Sequence, residues 1–539
     1  MNFKLATLWR ERVLALLAGL AAALAHPPFG VLPGLLGYAL LLWLLDTLDG
    51  PRRLRSAFLR GWLAGLGYFG LGTWWIGEAF MVDAANQGWM APFAVAAMAG
   101  GLALFWGGAA VLYRLIRPAG VRRILLFAGA FAALEWARGH VLTGFPWNLP
   151  GETWKAGSAP SQAAALVGAY GLTWITLAIA AAPAVWREGL AGRKAIAAAA
   201  ALLAALYING WTPPTAPTPK ASSPSVRIVQ ADIKQEAKWD ADRFAQVVQA
   251  YVSLTAKPHE NGKPADIVVW PEGALPAAIN DYLAPGTWVR QAIVDALQPG
   301  QLLLIGGYRY EGSPDKPVYY NSLIALKRGP TDIELVGIYD KHRLVPFGEY
   351  LPMDALLTRL GVKSLAHLGD GFATGPRPAP LQVSPDLIVQ PLICYESLFP
   401  GLAKPDPRVR ALINVSNDAW FGVTSGPLQH LNLASYRAIE TGVPIIRATP
   451  TGVSALIDAR GKIVRGERLG LGESGVIDGI LPDMGASTPF GRLGDFPFLL
   501  MILISALASF RRKAGKGFLI ITNPLDIGLN KNRNFSYQA

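Results

Sequence analysis

Apolar residues follow two different patterns along this chain. Over residues 1–210 they form long runs with few charges, whereas over 215–490 they form short runs between turns and charged positions. Long runs near the ~20 residues that cross a bilayer predict membrane helices. Short, nearly continuous runs predict strands that are covered on both faces. The pattern therefore predicts a multi-pass α-helical membrane domain followed by an α/β domain.

The helical part contains seven candidate spans. Their approximate bounds are 13–26, 31–46, 58–78, 91–113, 122–138, 163–186 and 193–209, and an eighth span is predicted at 494–512. The first could instead belong to a signal peptide, since Ala23-Leu-Ala25 before His26 resembles a small-residue cleavage site. Six further spans follow it, which favours a retained helix.

Basic residues occupy alternate loops of the helical part. They are Lys4, Arg10, Arg12, Arg52, Arg53, Arg55, Arg60, Arg114, Arg117, Arg122, Arg123, Arg187, Arg193 and Lys194, followed by Arg511, Arg512 and Lys513 after the eighth span. The intervening loops contain only Lys155, with Arg138 at a border. By the positive-inside rule, the basic loops face the cytoplasm and residues 210–490 lie on the opposite side of the membrane. The net charge of +12 therefore needs no nucleic acid to explain it.

Composition and turn residues divide the chain further. Charged residues make up 16% of the sequence, below the roughly 25% of ordinary soluble domains. A Pro- and Ser-rich linker is predicted at 211–224. The predicted domains are thus a membrane domain at 1–210, a catalytic domain at 225–487, the last span at 494–512 and a cytoplasmic tail at 513–539. Within the catalytic domain nine strands and one large core are predicted, with the strands at 226–230, 266–270, 302–305, 322–326, 335–339, 387–394, 411–415, 444–447 and 454–458.

Cys394 is the only cysteine of the chain. A single thiol forms no internal disulfide, and no cluster of Cys or His ligands accompanies it. A Gly-rich phosphate loop is also missing, so the sequence predicts neither a metal nor a cofactor. Position alone leaves two interpretations of Cys394 open, a catalytic nucleophile or a small buried core residue.

Two other ionisable residues favour the nucleophile. Glu272, Lys341 and Cys394 each follow an apolar run that is predicted to be a strand. Strand carboxyl ends present functional groups to a cleft in α/β sheets, so the three side chains are expected to converge. A carboxylate can remove the thiol proton, and a nearby cation can stabilise a thiolate and an oxyanion.

The motifs Trp270-Pro-Glu272, Tyr339-Asp-Lys341 and Cys394-Tyr-Glu396 resemble the nitrilase, or carbon–nitrogen hydrolase, superfamily. Together with seven spans before the domain and one after it, they make the chain similar to the apolipoprotein N-acyltransferase family of the bacterial inner membrane. The resemblance covers roughly residues 5–512 and implies an αββα sandwich on the periplasmic side. The tail after Lys513 matches nothing in that family.

The resemblance also implies a chemistry. Glu272 would act as general base, Lys341 as oxyanion stabiliser and Cys394 as the nucleophile. Cys394 would take an acyl chain from a membrane phospholipid as a thioester. The chain would then pass to the N-terminal α-amine of the diacylglyceryl-cysteine of an apolipoprotein, the last step of lipoprotein maturation. The implied partners are the lipid bilayer, the phospholipid donor and the apolipoprotein acceptor.

Further residues are expected to assist these three. Glu349, Glu396 and Tyr395 would support the triad, and for the two carboxylates an ion pair that orients Lys341 is an equally simple interpretation. The possible substrate pocket consists of Trp239, Asn321, Tyr350, Asn417, Trp420, Phe421 and Trp147. Ordinary packing is the alternative for the aromatic members, and anchoring at the membrane interface is the alternative for Trp147.

Two other function classes fit part of the sequence. A membrane-tethered nitrilase-type amidase would use the same triad on small amides but would not need seven preceding spans. A transporter with an accessory domain would be expected to show broken or repeated spans with charges in the middle of the membrane, and the sequence shows little of either. The acyltransferase is therefore the predicted function.

Overall fold

A computed structural model describes residues 2–211, 223–235, 241–259, 262–313, 315–352, 371–404 and 406–510. Three sequence predictions lie wholly or mainly outside the described residues. They are the pocket residue Trp239, most of the linker at 211–224 and the tail at 513–539.

Every predicted span of the first part contains one long helix. The helices are α1 (Asn2–Leu24), α2 (Leu36–Asp46), α3 (Arg53–Gly72), the short α4 (Ala84–Gln87), α5 (Ala91–Ile116), α6 (Arg123–Arg138), α7 (Ala164–Ala181) and α8 (Gly189–Trp211). Among the described residues, the helical stretches Ala84–Ile116, Pro160–Val185 and Gly189–Gly210 are long and apolar enough to cross a membrane. The helix at the predicted eighth span, Phe496–Phe510, is apolar but shorter.

Small residues let the helices of this bundle approach closely. A Cβ atom added to Gly19 on α1 would lie 1.7 Å from the carbonyl oxygen of Ala64 on α3. A Cβ atom on Gly61 would lie 2.5 Å from the carbonyl oxygen of Trp106 on α5. Backbones pack at such distances only where a side chain is absent, which is the usual way in which helices associate in membranes. The helix α1 is therefore an integral part of the bundle.

Ion pairs gather at one end of the bundle. Arg123 contacts Asp46 at 2.8 Å and Glu188 at 2.6 Å, and Arg117 contacts Asp46 at 3.1 Å. These residues come from loops or helix ends that the charge pattern assigned to the cytoplasmic side. Their contacts bring these residues together on the same side of the bundle.

The second part is an αββα sandwich of two six-stranded sheets. The first sheet has the order β12-β1-β2-β3-β4-β5 and the second has the order β11-β10-β9-β8-β7-β6. The strands are β1 (Ser225–Gln230), β2 (Ile267–Trp270), β3 (Leu302–Ser313), β4 (Lys316–Arg328), β5 (Ile333–Asp340), β6 (Leu381–Ser384), β7 (Leu387–Pro391), β8 (Val409–Val415), β9 (Ile445–Ala448), β10 (Ser454–Ile457), β11 (Ile463–Leu469) and β12 (Gly475–Ile480). The centre of each sheet is parallel, β1-β2-β3 and β7-β8-β9.

Helices cover the outer face of both sheets. They are α9 (Phe244–Thr255), α10 (Ile279–Tyr282), α11 (Trp288–Ala296) and α12 (Gly426–Thr441), and α13 (Pro489–Leu493) leads into α14 (Phe496–Phe510). One apolar core lies between the sheets, for example between Leu304 and Ile413, and a further core lies under the helices on each outer face. The expected single large core is therefore wrong, because a two-sheet sandwich with outer helices has three apolar layers.

Two strand predictions also need correction. The predicted strand at 387–394 ends at Pro391, and Cys394 instead opens a short 3-10 helix, Cys394–Leu398. The strands β6, β11 and β12 were not predicted. All three lie at an edge of their sheet, where one side of the strand is unpaired. Exposed polar positions interrupt the apolar run in such strands, so the sequence pattern is weaker.

Candidate active site

Glu272 lies two residues after β2 and is buried. Its Oε1 atom accepts hydrogen bonds from Asn321 Nδ2 at 2.7 Å and from Lys341 Nζ at 3.3 Å. Its Oε2 atom accepts one from the backbone N–H of Asn417 at 2.7 Å. Burial alone would raise the pKa of Glu272, but Lys341, these donors and the Cys394 thiol outweigh it, so the pKa lies below its ordinary value. Glu272 is therefore a buried, charged carboxylate.

Lys341 directly follows β5 and stands between two carboxylates. Its Nζ atom lies 2.9 Å from Glu349 Oε1 and 3.3 Å from Glu272 Oε1. Its backbone N–H donates to the carbonyl of Asn321 at 2.8 Å. Burial would lower the pKa of the ammonium group, but Glu272 and Glu349 raise it above its ordinary value. The ammonium therefore stays charged although it is buried.

Cys394 adopts a left-handed backbone conformation, with φ of 48°. For a residue other than glycine this costs about 1–3 kcal/mol, and such strain is often found at functional sites. Burial, and then the charge of Glu272, raise the pKa of the thiol, while Lys341 lowers it to a smaller extent. The resting thiol is therefore protonated, and it forms a hydrogen bond with the Glu272 carboxylate.

Asn321 and Glu349 complete the surroundings of Lys341. The Nδ2 atom of Asn321 donates to both carboxylates, at 2.7 Å to Glu272 and 2.6 Å to Glu349. The second oxygen of Glu349 accepts from the backbone N–H of Val345 at 2.8 Å. The ion pair with Lys341 that was considered for Glu349 is therefore present, and Asn321 lies at the centre of the group and not at the edge of a pocket.

Glu396 has a different position. Its oxygens accept hydrogen bonds from the backbone N–H groups of Ile393 and His342, both at 2.8 Å, and from the hydroxyl of Tyr339 at 2.9 Å. Among the described residues no ion pair joins it to Lys341, so that expectation is wrong for Glu396. A carboxylate that accepts several donors from two loops holds those loops together, here the segment after Lys341 and the turn that carries Cys394.

Tyr395, Tyr350 and Trp147 connect the site to the membrane domain. Tyr395 donates its hydroxyl to the carbonyl of Gly144, and Tyr350 lies 3.3 Å from the Thr143 hydroxyl. Trp147 is only 2% exposed, so its anchoring at the lipid interface is wrong. The loop 139–154, which carries Thr143, Gly144 and Trp147, therefore packs against the segments that carry Tyr350 and Tyr395.

The remaining predicted pocket residues lie on the segment after β8. Asn417 is held by Glu272 through its backbone, while its buried side-chain Oδ1 has no hydrogen-bond partner among the residues that the structure describes. Trp420 and Phe421 are half-buried on the 3-10 helix Asp418–Phe421. The ring of Phe421 packs on Trp75 of the membrane domain at 4.4 Å between centroids. Asn417 thus belongs to the catalytic group, and Phe421 to the contact between the domains.

A second buried charge cluster was not predicted from the sequence. Arg437 on α12 contacts Glu440 at 3.0 Å and Glu152, in the loop 139–154, at 3.5 Å. Burial raises the pKa of Glu152 to about 8 and that of Glu440 to about 7, while Arg437 opposes both shifts. We call these three residues the interdomain cluster. No sequence signal marks it, since Glu152 and Arg437 are 285 positions apart.

The fold and the site define a class of protein. A family profile for carbon–nitrogen hydrolases matches residues 225–484, and a profile for the apolipoprotein N-acyltransferase N-terminal domain matches residues 18–182. The α/β domain is therefore a carbon–nitrogen hydrolase domain behind a membrane domain. A solved glutamine-dependent NAD(+) synthetase from Cytophaga hutchinsonii is a weak match, with a TM-score of 0.28 and 12% identity over 48% of this chain and 43% of that chain.

Curated relatives are much more similar. An apolipoprotein N-acyltransferase from Caulobacter vibrioides is 74% identical over 94% of this chain and 96% of its own length. One from Rhizobium etli is 40% identical over 87% of this chain and 90% of its own length. The chain belongs to the apolipoprotein N-acyltransferase family. The predicted fold class and enzyme class are confirmed, and the family assigns the chain to lipoprotein N-acylation in a membrane.

Proposed function

We propose that the enzyme works by a ping-pong mechanism in which Cys394 carries the acyl chain as a thioester. The sulfur attacks the carbonyl carbon of a phospholipid acyl ester while Glu272 accepts the thiol proton. The C–O bond then breaks, Glu272 returns the proton to the leaving alkoxide, and a lysophospholipid is released. The observation that carries this proposal is the convergence of the buried thiol, carboxylate and ammonium.

The pKa shifts define when the proton moves. The thiol has a raised pKa and Glu272 a lowered one, so the proton remains on sulfur in the resting enzyme. Transfer becomes favourable only as the sulfur bonds to carbon and loses basicity.

The second half of the reaction uses the same groups. The α-amine of a diacylglyceryl-cysteine attacks the thioester and Glu272 accepts a proton from nitrogen. The C–S bond then breaks as Glu272 passes that proton to the sulfur, which restores the thiol. Lys341 stabilises the oxyanion of each tetrahedral intermediate, since its charge is fixed by Glu349 as well as Glu272. Glu349, Asn321 and Glu396 hold the loops and the ammonium in place.

The setting of the site favours lipid substrates. Moving an acyl chain out of a bilayer costs about 0.8 kcal/mol per CH₂, so the thiol must lie near the membrane surface. The loop 139–154 joins two helices of the bundle and contacts Tyr395 next to Cys394. Together with the positive-inside pattern, this supports an enzyme of the bacterial inner membrane whose catalytic domain is periplasmic.

Intact-mass spectrometry of the detergent-purified protein tests the proposal. After incubation with phospholipid, the wild type should gain a hydroxylamine-sensitive acyl adduct, and Cys394→Ala should gain none. A diacylglyceryl peptide should then remove the adduct, whereas the same peptide with an acetylated N-terminus should not. If no phospholipid produces an adduct, the thioester mechanism is wrong.

A further inference from the structure

Three buried ionisable side chains lie behind the nucleophile and have no part in the mechanism above. Asp418 lies on the segment after β8, His430 on α12 and Arg447 on β9, and all three are at most 1% exposed. Three separate elements thus bring a carboxylate, an imidazole and a guanidinium into one dry cluster. Buried charges are rarely retained without partners, so their arrangement calls for a physical explanation.

Asp418 is the centre of this cluster. Its Oδ2 atom accepts from the Arg447 guanidinium at 2.6 Å, and its Oδ1 atom accepts from His430 Nδ1 at 2.8 Å and from the Ser416 hydroxyl at 2.7 Å. Burial would raise the pKa of Asp418, but Arg447 and His430 hold it well below its usual range. The carboxylate is therefore charged, and the Nδ1 atom facing it carries a hydrogen.

The other ring nitrogen of His430 faces the nucleophile. Its Nε2 atom lies 3.2 Å from the carbonyl oxygen of Cys394 and 3.0 Å from the Ser397 hydroxyl. That hydroxyl donates its only hydrogen to the same Cys394 carbonyl, at 2.8 Å. Nε2 is thus placed to donate to the Cys394 carbonyl while Nδ1 faces the Asp418 carboxylate.

The rings of two aromatic residues keep water away from this pair. Trp147 lies 5.5 Å from the His430 ring and Phe421 lies 5.8 Å from it, between centroids. A charge-assisted hydrogen bond in such a dry setting is stronger than a neutral one. The donors on the Cys394 carbonyl can therefore offset much of the strain of its left-handed backbone, which is about 1–3 kcal/mol.

We propose that His430 is a positioning residue for the nucleophile: it holds the carbonyl of Cys394 so that the backbone stays left-handed and the thiol stays beside Glu272. Asp418 and Arg447 fix His430 in that position. Without the donor, the peptide after Cys394 can rotate toward an unstrained conformation and carry the sulfur away from the base. Misplacement of a reacting atom by about 1 Å costs on the order of 100-fold in rate.

Two polar substitutions separate positioning from simple packing. The His430→Gln side chain is long enough to bring an amide N–H to the Cys394 carbonyl, whereas the His430→Asn side chain is not. Both keep a polar group in the cluster, so their stabilities should be similar. The matched control is His259→Gln, because His259 also faces an aspartate, Asp478 at 3.5 Å, in the same domain but is remote from Cys394.

Two rates are measured on each purified full-length variant. The first is formation of the acyl-enzyme from mixed-headgroup dioleoyl phospholipid in detergent micelles. The second is alkylation of Cys394 by iodoacetamide, which needs no lipid. His430→Asn should lower the maximal rate of acylation 10- to 100-fold with an unchanged half-saturating lipid concentration, and should slow alkylation about tenfold. His430→Gln should recover most of both rates, and His259→Gln should match the wild type.

The outcomes are distinct. Equal rates for His430→Asn and His430→Gln overturn the proposal, as does loss of folding in both variants, since His430 would then act only in packing. Only the acylation measurement with lipid rests on the proposed thioester chemistry; the alkylation measurement does not. If the wild type forms no acyl-enzyme, that chemistry fails, and the iodoacetamide rates alone still decide whether His430 positions Cys394.

Discussion

Two buried clusters in this enzyme share the same charge pattern, one cation between two carboxylates. At the active site Lys341 lies between Glu272 and Glu349, at 3.3 and 2.9 Å. In the interdomain cluster Arg437 lies between Glu440 and Glu152, at 3.0 and 3.5 Å. Yet the pKa of Glu272 is lowered, whereas those of Glu152 and Glu440 are raised to about 8 and about 7.

Neutral donors explain the difference. Glu272 accepts hydrogen bonds from the Asn321 amide and the Asn417 backbone N–H in addition to its ion pair. Glu152 and Glu440 each have one backbone donor and share a single guanidinium. Equal numbers of charges therefore give a charged base in one place and nearly neutral acids in the other. Lys341 is the largest of the influences that lower the pKa of Glu272, and the neutral donors that add to it help to keep the buried carboxylate charged.

The largest effect is expected from replacing the base itself. Glu272→Gln should slow formation of the acyl-enzyme by about 10²–10⁴-fold, since general-base catalysis contributes an amount of this size. Glu440→Gln should change the same rate by no more than a few-fold, because Glu440 holds a proton for much of the time near neutral pH. Single-turnover acylation measured by intact mass gives both rates. If the acylation rate falls by a similar factor in both variants, the two clusters do not differ in the way described.

Removing the cation of the interdomain cluster should mainly affect stability. Arg437→Met leaves two buried carboxyl groups without a counter-ion, and losing one partner of a buried pair costs about 3–5 kcal/mol. Thermal unfolding in detergent should show a large fall in Tm. The triple variant Arg437→Met, Glu152→Gln, Glu440→Gln should regain part of it. If Arg437→Met alone unfolds like the wild type, the cluster does not hold the domains together.

Asn321→Ala makes the active site more like the interdomain cluster. It removes a donor to Glu272 and to Glu349, and hydrogen bonds to charged groups contribute about 1.5–3 kcal/mol. The pKa of Glu272 should rise, so the acid limb of the acylation rate should shift to higher pH and the maximal rate should fall about tenfold. A pH profile from 4 to 9 measures this shift. An unshifted acid limb would mean that Lys341 alone keeps Glu272 charged.

The smallest effect is expected in the pH dependence of stability. The folded-state pKa values of Glu152 and Glu440 lie above the ordinary value of 4.5, so the folded state binds more protons than the unfolded state between about pH 4.5 and 8. The contribution of these two groups to stability must therefore fall as pH rises through this window. Glu272 contributes with the opposite sign, since its stabilisation is lost as pH falls below its unfolded pKa. The variant Glu152→Gln, Glu440→Gln should have a flatter profile of Tm against pH than the wild type.

The sequence predicted the centre of the fold better than its edges. Nine strands with apolar runs were predicted, whereas β6, β11 and β12 at the sheet edges were missed because half of their residues face solvent. Seven helices lie at the predicted spans, since a long apolar run has few alternatives. The bounds were less certain, and α1 begins at Asn2 although the predicted span began at 13.

Sequence patterns also predicted only part of the candidate site. Glu272, Lys341 and Cys394 could be predicted to converge because each follows an apolar run that is predicted to be a strand. The ion-pair interpretation failed for Glu396 because its partners are backbone N–H groups, which leave no trace in a sequence. Trp147 could not be distinguished from an interfacial anchor, because its burial depends on Gln429, 282 positions further along the chain. The contacts between the two domains therefore could not be predicted from the sequence.

The contact between the loop 139–154 and Tyr395 bears on how this enzyme can be engineered. A fragment cut at residue 225 would lose the loop that contacts Tyr395 next to Cys394 and would expose the face that packs on Trp75 and Trp147. Exchange of catalytic domains between relatives meets the same obstacle, since a transplanted domain must recognise a foreign loop. Working chimeras should therefore carry their own copy of the loop 139–154 along with the domain.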